Sequence, residues 1–265
     1  MTGVSHTGKI IWTTEHQLPI AEQSMSSTIA LAECDCERLG LKMDSRGRLV
    51  LKRFGWPLLK IRNDLLVDGF IKREVGGLLA QYLHEDTVLL DVGCGDMSLS
   101  RFLPVDMWYN GLDIQISQFH IARVLKRKPH TNLVLASAAR IPVESNTVTL
   151  LVSTETLEHI RHVDEALREM HRVATPGSIL VCSIPNNHCL KYQKKGPHPD
   201  HVNNWTFQGF ADFMARHGFD MVEGYMKGYW IPLPARLFKT SYQLPLSCRD
   251  ERLNTNFFYV FKTIK

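Results

Sequence analysis

The sequence holds no run of roughly 18 consecutive apolar residues, the length a membrane-spanning helix needs. Its opening stretch has no continuous apolar segment after a basic start, so neither a transmembrane segment nor a secretory signal is expected. Strong charge of either sign is missing as well. The 31 Lys and Arg against 27 Asp and Glu leave a formal charge of +4. That is too mild to call for a nucleic-acid partner and does not forbid one. The six cysteines (Cys34, Cys36, Cys94, Cys182, Cys189 and Cys248) follow no framework spacing. Reduced thiols in a cytoplasmic protein are therefore expected in place of a disulfide scaffold.

What is present is ordinary globular composition, 44% hydrophobic and 22% charged over 265 residues, enough for one full core and an appendage. Residues 1–27 are polar and lack periodicity, which predicts a loosely ordered arm. Residues 28–70 read as a small cap, and 71–265 as the main domain. From Thr87 onward apolar strand-like runs alternate with helical ones. The strands expected are Thr87–Val92, Trp108–Ile114, Asn132–Ser137, Thr147–Ser153, Ser178–Ile184, Phe219–Tyr225 and Asn256–Thr263. Val163, Leu167, Met170 and Ala174 form a helical stripe, with Pro176-Gly177 as its stop signal. A second helix is expected from Thr206, a good N-cap, through Phe210 and Met214 to Gly218. Continuous apolar strands between amphipathic helices predict an α/β fold, a mostly parallel sheet covered on both faces. The last two strands have no helix-sized pattern between them and are expected to pair antiparallel.

The decisive segment is Val88-Leu89-Leu90-Asp91-Val92-Gly93-Cys94-Gly95-Asp96-Met97. An apolar strand runs into two glycines and then into the helix-like run Leu99–Leu103. Glycines at such a turn allow backbone conformations and ligand approach that a side chain would block. A dinucleotide fingerprint would place glycine where Ser98 stands. Asp91 would repel a pyrophosphate and suits a cationic or amine-bearing ligand.

Asp91-Val92-Gly93-Cys94-Gly95 resembles the first motif of the class I S-adenosylmethionine-dependent methyltransferases, type-11-like, and the resemblance continues over roughly residues 70–264. It implies a Rossmann-like seven-stranded sheet with an antiparallel last strand. Asp113 matches the acidic residue that this family uses on the ribose hydroxyls, at the interval of about 20 residues expected of a ribose-binding carboxylate. Ser137-Ala138-Ala139-Arg140-Ile141-Pro142 resembles the segment along the adenine. Val173-Ala174-Thr175-Pro176-Gly177-Ser178 resembles the turn into the fifth strand. The implied cofactor-binding set is Asp91, Gly93, Cys94, Gly95, Asp113, Ile114, Ser137, Ala138 and Thr154. Three positions depart from the family pattern. Met97 replaces a third glycine and is expected to leave less room at the loop, Ser137 replaces an Asp, and Thr149 replaces an acidic residue.

Beyond the fourth strand lies Thr154-Glu155-Thr156-Leu157-Glu158-His159-Ile160. In a helix, Glu155, Glu158 and His159 would fall on one face of one turn, able to hold a divalent cation. Oxygen and nitrogen donors together suit Mg, Mn, Fe or Zn without choosing among them. With Asp200-His201 and Trp205 further on, the pattern resembles the metal site of the small-RNA 3′-end 2′-O-methyltransferases, which implies Glu155, Glu158, His159 and His201 as ligands. The ubiquinone-pathway O-methyltransferases carry a similar segment. The plain alternative is that acidic residues here simply suit a helix start. Without a metal, His159 or His201 would be the catalytic base.

Cys34-x-Cys36 and Gly47–Pro57 resemble a small zinc ribbon, but Leu51 and Phe54 stand where a second cysteine pair would be, so no structural zinc is expected. Tyr225–Lys239 interleaves aromatic, basic and proline residues. That pattern suits an acceptor lid, a covered sheet edge or peripheral membrane contact. The expected function is methylation of a hydroxyl on a small molecule, sugar or lipid, with metal assistance left open. The rival readings are a metal-dependent RNA 2′-O-methyltransferase and a methyltransferase-like binding or scaffold protein.

Overall fold

The computed structural model describes residues 8–13, 41–43, 49–51, 69–116, 118–196, 198–231, 242–244 and 246–265. The chain divides into two units, residues 19–70 and a larger one of residues 1–18 with 71–265. In the smaller unit, β1 (Leu41–Met43) and β2 (Leu49–Leu51) pair antiparallel, with Leu41 opposite Leu51. Cys34 and Cys36 lie outside the described residues.

The larger unit is built on β3 (Leu89–Val92), β4 (Tyr109–Asp113), β5 (Thr131–Leu135), β6 (Val148–Thr154), β7 (Ala174–Pro185), β8 (Phe219–Ile231), β9 (Tyr242–Leu244) and β10 (Asn254–Thr263). Their order is β5-β4-β3-β6-β7-β10-β8-β9. Strands β3 to β7 are parallel, and β10 runs antiparallel between β7 and β8. The expected Rossmann-like sheet is therefore present with all its seven strands. A short eighth, β9, which no apolar run announced, pairs with the end of β8.

The strands read as unbroken apolar runs because both faces are covered. Leu90, Leu180, Cys182, Phe257, Tyr259 and Phe261 share a core with α3 (Val163–Val173) and α5 (Phe207–Ala215). The alternate positions Leu89, Val181, Phe258 and Val260 are fully buried too. The other described helices are α1 (69–79), α2 (Gln118–Leu125) and α4 (Leu190–Lys195). No helix among the described residues is long and apolar enough to cross a membrane.

Three local expectations need correction. Helix α3 stops at Val173, and Ala174 already belongs to β7. Its last carbonyls are taken by tertiary donors: Asn146 N–H bonds Arg172 O, Thr147 N–H bonds Val173 O, and the Lys265 ammonium bonds Arg172 O and Ala174 O. Pro176-Gly177 instead sits in β7 at a register shift, where Gly177 has φ +74°. Residues 8–13 are not loose. Ile10 is 1% exposed, and the side chains of Asn110 and Asn132 bond the backbone of this segment. Thr149 is a strand residue whose Oγ1 accepts the Val88 N–H at 2.9 Å, so its role is structural.

The N-cap expected of Thr206 is formed, its Oγ1 accepting the Gly209 N–H at 3.1 Å. Thr206→Ala should therefore lower the unfolding free energy by about 1 kcal/mol, read from the urea midpoint.

Candidate active site

The chain passes outward from β3 to β4 and β5, then returns to place β6 on the other side of β3. Such a reversal opens a crevice at the carboxyl ends of the strands. A cavity of about 510 Å³ lies there, and its wall carries eight of the nine residues expected at the cofactor: Gly93, Cys94, Gly95, Asp113, Ile114, Ser137, Ala138 and Thr154.

The loop after β3 is shaped by its glycines. Gly93 has φ +80°, and a Cβ there would lie 2.2 Å from Thr156 Cγ2, so no other residue fits. Its N–H and that of Cys94 both bond Leu112 O, which closes the turn. Gly95, at φ +49°, faces open space. Asp113 is aimed by this loop: Oδ2 accepts the Gly95 N–H at 2.8 Å, and Oδ1 accepts the Gln115 N–H at 3.0 Å. A carboxylate oxygen keeps further lone pairs for ligand hydroxyls. Ile114 is 68% exposed, an apolar wall that a flat ring would cover. Ser137 Oγ accepts the Ala139 N–H at 3.2 Å, and Thr154 Oγ1 is buried without a partner.

Asp91, the ninth, is not on the wall. It lies 1% exposed beneath the loop, accepting the Tyr109 hydroxyl at 2.5 Å, with Oδ1 unpartnered. Burial raises its pKa to about 6, against the opposing effects of Lys72 and the Tyr109 hydrogen bond. Met97 does not crowd the loop. It adopts the left-handed conformation with φ 56°, and its fully buried side chain is absent from this cavity's wall.

The segment after β6 departs from the helix expected. Glu155 has φ 51° and is followed by a short 3-10 turn, Leu157–His159, so the one-face stripe does not form. Ser183 Oγ and Asn256 Nδ2 both donate to the Glu155 carboxylate, at 2.9 and 3.0 Å. The other three proposed ligands do converge: donor atoms of Glu158, His159 and His201 lie within 4.8 Å of one another. The loop carrying His201 is stitched to the turn by Val202 and Asn203 N–H groups on Glu158 O, and by the Asn203 amide on Leu157 O and Ile160 O.

Glu158 is 1% exposed and neither carboxylate oxygen has a hydrogen-bond partner. Burial first, then repulsion from Glu155, raises its pKa well above the usual carboxylate value. His159 Nδ1 bonds Asp200 O at 3.0 Å, and His201 Nδ1 bonds Asn187 Oδ1 at 2.9 Å. Both acceptors fix the proton on Nδ1, which leaves each Nε2 a lone pair. His159 Nε2 stands 3.7 Å from Glu158 Oε1. Burial and the neighbouring His159 and His198 push the pKa of His201 down to about 4, so its ring is neutral.

Sequence reasoning missed Lys72 and Arg161, which also line the cavity. Lys72 comes from α1, ahead of any motif, and its charge opposes the pKa rise of Asp91, Glu155 and Glu158. Arg161 stands two residues after His159 and makes no hydrogen bond or ion pair among the described residues; its nearness to the acidic segment was the available signal.

The two loop glycines predict opposite phenotypes. Gly93→Ala should destabilise the fold by about 2 kcal/mol or more through overpacking and backbone strain. Gly95→Ala should cost only about 1 kcal/mol of stability, while its methyl group weakens S-adenosylhomocysteine binding. Denaturation curves and calorimetry on both variants check this.

Residues 90–182 match the family model described as "Methyltransferase domain". The mouse mitochondrial protein named arginine-hydroxylase NDUFAF5 is 25% identical over 166 residues, covering 57% of this chain and 48% of the relative. A Mycolicibacterium smegmatis protein named "Probable S-adenosylmethionine-dependent methyltransferase" is 22% identical over 134 residues, covering 50% and 52%. The chain thus spans about half the length of these relatives. In fold it is similar to the Burkholderia thailandensis 1,6-didemethyltoxoflavin-N1-methyltransferase solved with S-adenosylhomocysteine: TM-score 0.55, 12% identity, 95% of this chain and 97% of that one. With the glycine loop, the aimed Asp113 and the sheet order already in place, residues 90–182 carry a methyltransferase domain, on a Rossmann-like sheet similar in fold to solved S-adenosylmethionine-dependent methyltransferases.

Proposed function

We propose that this protein transfers a methyl group from S-adenosylmethionine to a hydroxyl of a small molecule, sugar or lipid, with a divalent cation held by Glu158, His159 and His201. The observation that carries the reading is the shared cavity. His159 lies on the same wall as the Gly93–Gly95 loop and Asp113, so the cation cluster borders the cofactor crevice. Glu155 is left out of the ligand set because Ser183 and Asn256 already hold it.

The methyl group of a sulfonium needs little activation; what it needs is a nucleophile placed in line with it. Asp113 would grip the ribose, Ile114 would cover one face of the adenine, and the cavity floor would exclude water. A hydroxyl acceptor must also lose its proton. A bound divalent cation lowers the pKa of a hydroxyl it touches. Around it, Asp200 O and Asn187 Oδ1 hold the imidazoles in the tautomer that offers Nε2. A histidine with a pKa near 4 is a weak general base at neutral pH, which favours a ligand role for His201 over a base role.

Two measurements test the reading. Asp113→Ala should weaken S-adenosylhomocysteine binding at least tenfold by calorimetry, since hydrogen bonds to a charged group are worth about 1.5–3 kcal/mol; unchanged affinity would remove the cofactor assignment. Glu158→Gln should abolish Mn²⁺ binding and leave S-adenosylhomocysteine affinity near wild type. Undiminished Mn²⁺ binding by that variant defeats the metal and leaves methyl transfer standing. Failure of the wild type to bind cofactor at high micromolar concentration would instead point to a scaffold.

A further inference from the structure

A second cavity, of about 220 Å³, lies between the 3-10 turn Ser98–Phe102 and α2. Arg101 comes from the turn, Arg123 from α2, and Arg127 and Lys128 from the chain just beyond it; Asp96 supplies the only carboxylate on this wall. These cations are poorly offset. Arg123 Nη2 is 3.4 Å from Asp96 Oδ2, and Arg101 Nε donates to Ser98 O at 3.0 Å. The Arg127 side chain makes no hydrogen bond or ion pair among the described residues. Lys128 is 3% exposed, and its ammonium donates to Pro104 O. An ammonium carries three donors, and the other two have no partner among the described residues. Burial pulls the pKa of Lys128 down to about 8, with Asp106 opposing.

Basic residues at the end of a helix suit its macrodipole, and that accounts for Arg123 and Arg127. It does not account for the gathering of Arg101, Arg123, Arg127 and Lys128 from separate elements on one cavity wall. Four cations against one carboxylate give this cavity a positive field that favours an anion. Guanidiniums present flat donor forks that match the oxygens of a tetrahedral oxyanion. The volume falls below the roughly 300 Å³ of a drug-sized pocket, which suits a phosphate group with at most a small substituent.

We propose that this cavity is an anion site for a phosphate group, free or as the monoester of a small metabolite, beside the cofactor crevice, with which it shares Asp96. The site does not depend on methyl transfer, so its test stands apart from that reading.

The experiment titrates inorganic phosphate and glycerol phosphate into the full chain at constant ionic strength, followed by calorimetry and by phosphorus NMR line broadening. Saturable binding of at least one is expected at about 1 mM or below, roughly 4 kcal/mol of affinity. Tighter binding of glycerol phosphate would assign the monoester, and tighter binding of inorganic phosphate the free ion. Arg127→Ala removes an exposed side chain without a partner, so it should fold as wild type and weaken binding at least fivefold. Arg101→Ala combined with it should weaken binding at least fiftyfold while circular dichroism and S-adenosylhomocysteine affinity stay unchanged. Absence of saturation at about 10 mM in the wild type, or equal affinity in the Arg127→Ala variant, overturns the proposal.

Discussion

The contact between Gly93 and Thr156 is the constraint on which the rest of the site depends. It presses the loop after β3 against the segment after β6 so closely that a single added carbon would sit 2.2 Å from a methyl group. Thr156 Oγ1 meanwhile lies 3.0 Å from Thr154 O and 3.4 Å from Gly93 O. Because these loops leave neighbouring parallel strands, tightening one against the other fixes the cofactor wall and the Glu155–His159 segment as one surface. A looser crossing would part the donor side of the cavity from its acceptor side.

The same compaction creates an electrostatic problem. Asp91, Glu155 and Glu158 are carboxyl groups under one rim, and burial raises the pKa of each. For Asp91, with a folded value near 6 against 3.8 unfolded, the folded state binds more protons between those limits. Its contribution to stability is therefore present at low pH and lost as pH rises through 6. At neutral pH such a floor favours any cation: the Lys72 ammonium, which lines the cavity, and a ligand bearing a sulfonium and an ammonium. The oxygens of Glu158 have no hydrogen-bond partner in this floor, and the charge of Lys72 opposes the rise in its pKa.

The fold was legible where burial leaves a one-dimensional trace. Strands covered on both faces must be apolar at every position, so β3, β7 and β10 stood out, and Thr206 announced the start of α5 by its own hydroxyl. What depended on distant partners was not legible. The end of α3 is set by Asn146, Thr147 and Lys265, and residues 8–13 are held by two asparagines roughly a hundred positions away. Within the site, glycines and Asp113 could be read because a local turn demands them. Lys72 could not, since one lysine in an amphipathic helix carries no mark. Helical spacing proposed Glu155, Glu158 and His159 as metal ligands and the resemblance added His201; three of the four converge because the loop at Asn203, not a helix, brings His201 back to His159.

The departures from the family pattern become intelligible once their partners are known. Met97 occupies a left-handed position that costs a residue with a Cβ about 1–2 kcal/mol, but complete burial of a Met side chain returns about 1.5–3 kcal/mol. Glycine there would relieve strain and lose packing, so methionine is tolerable on balance. Thr149 exchanges a carboxylate for a hydroxyl that satisfies the Val88 N–H at the foot of the cofactor strand. Ser137 uses its hydroxyl to hold the turn at Ala139 and still lines the cavity. At Met97 and Thr149 a position that could have served the ligand serves the fold, while the cavity keeps its shape. Departure from a motif therefore signals lost binding only where the substituted side chain enters the ligand's space, and Met97 and Thr149 do not line this cavity.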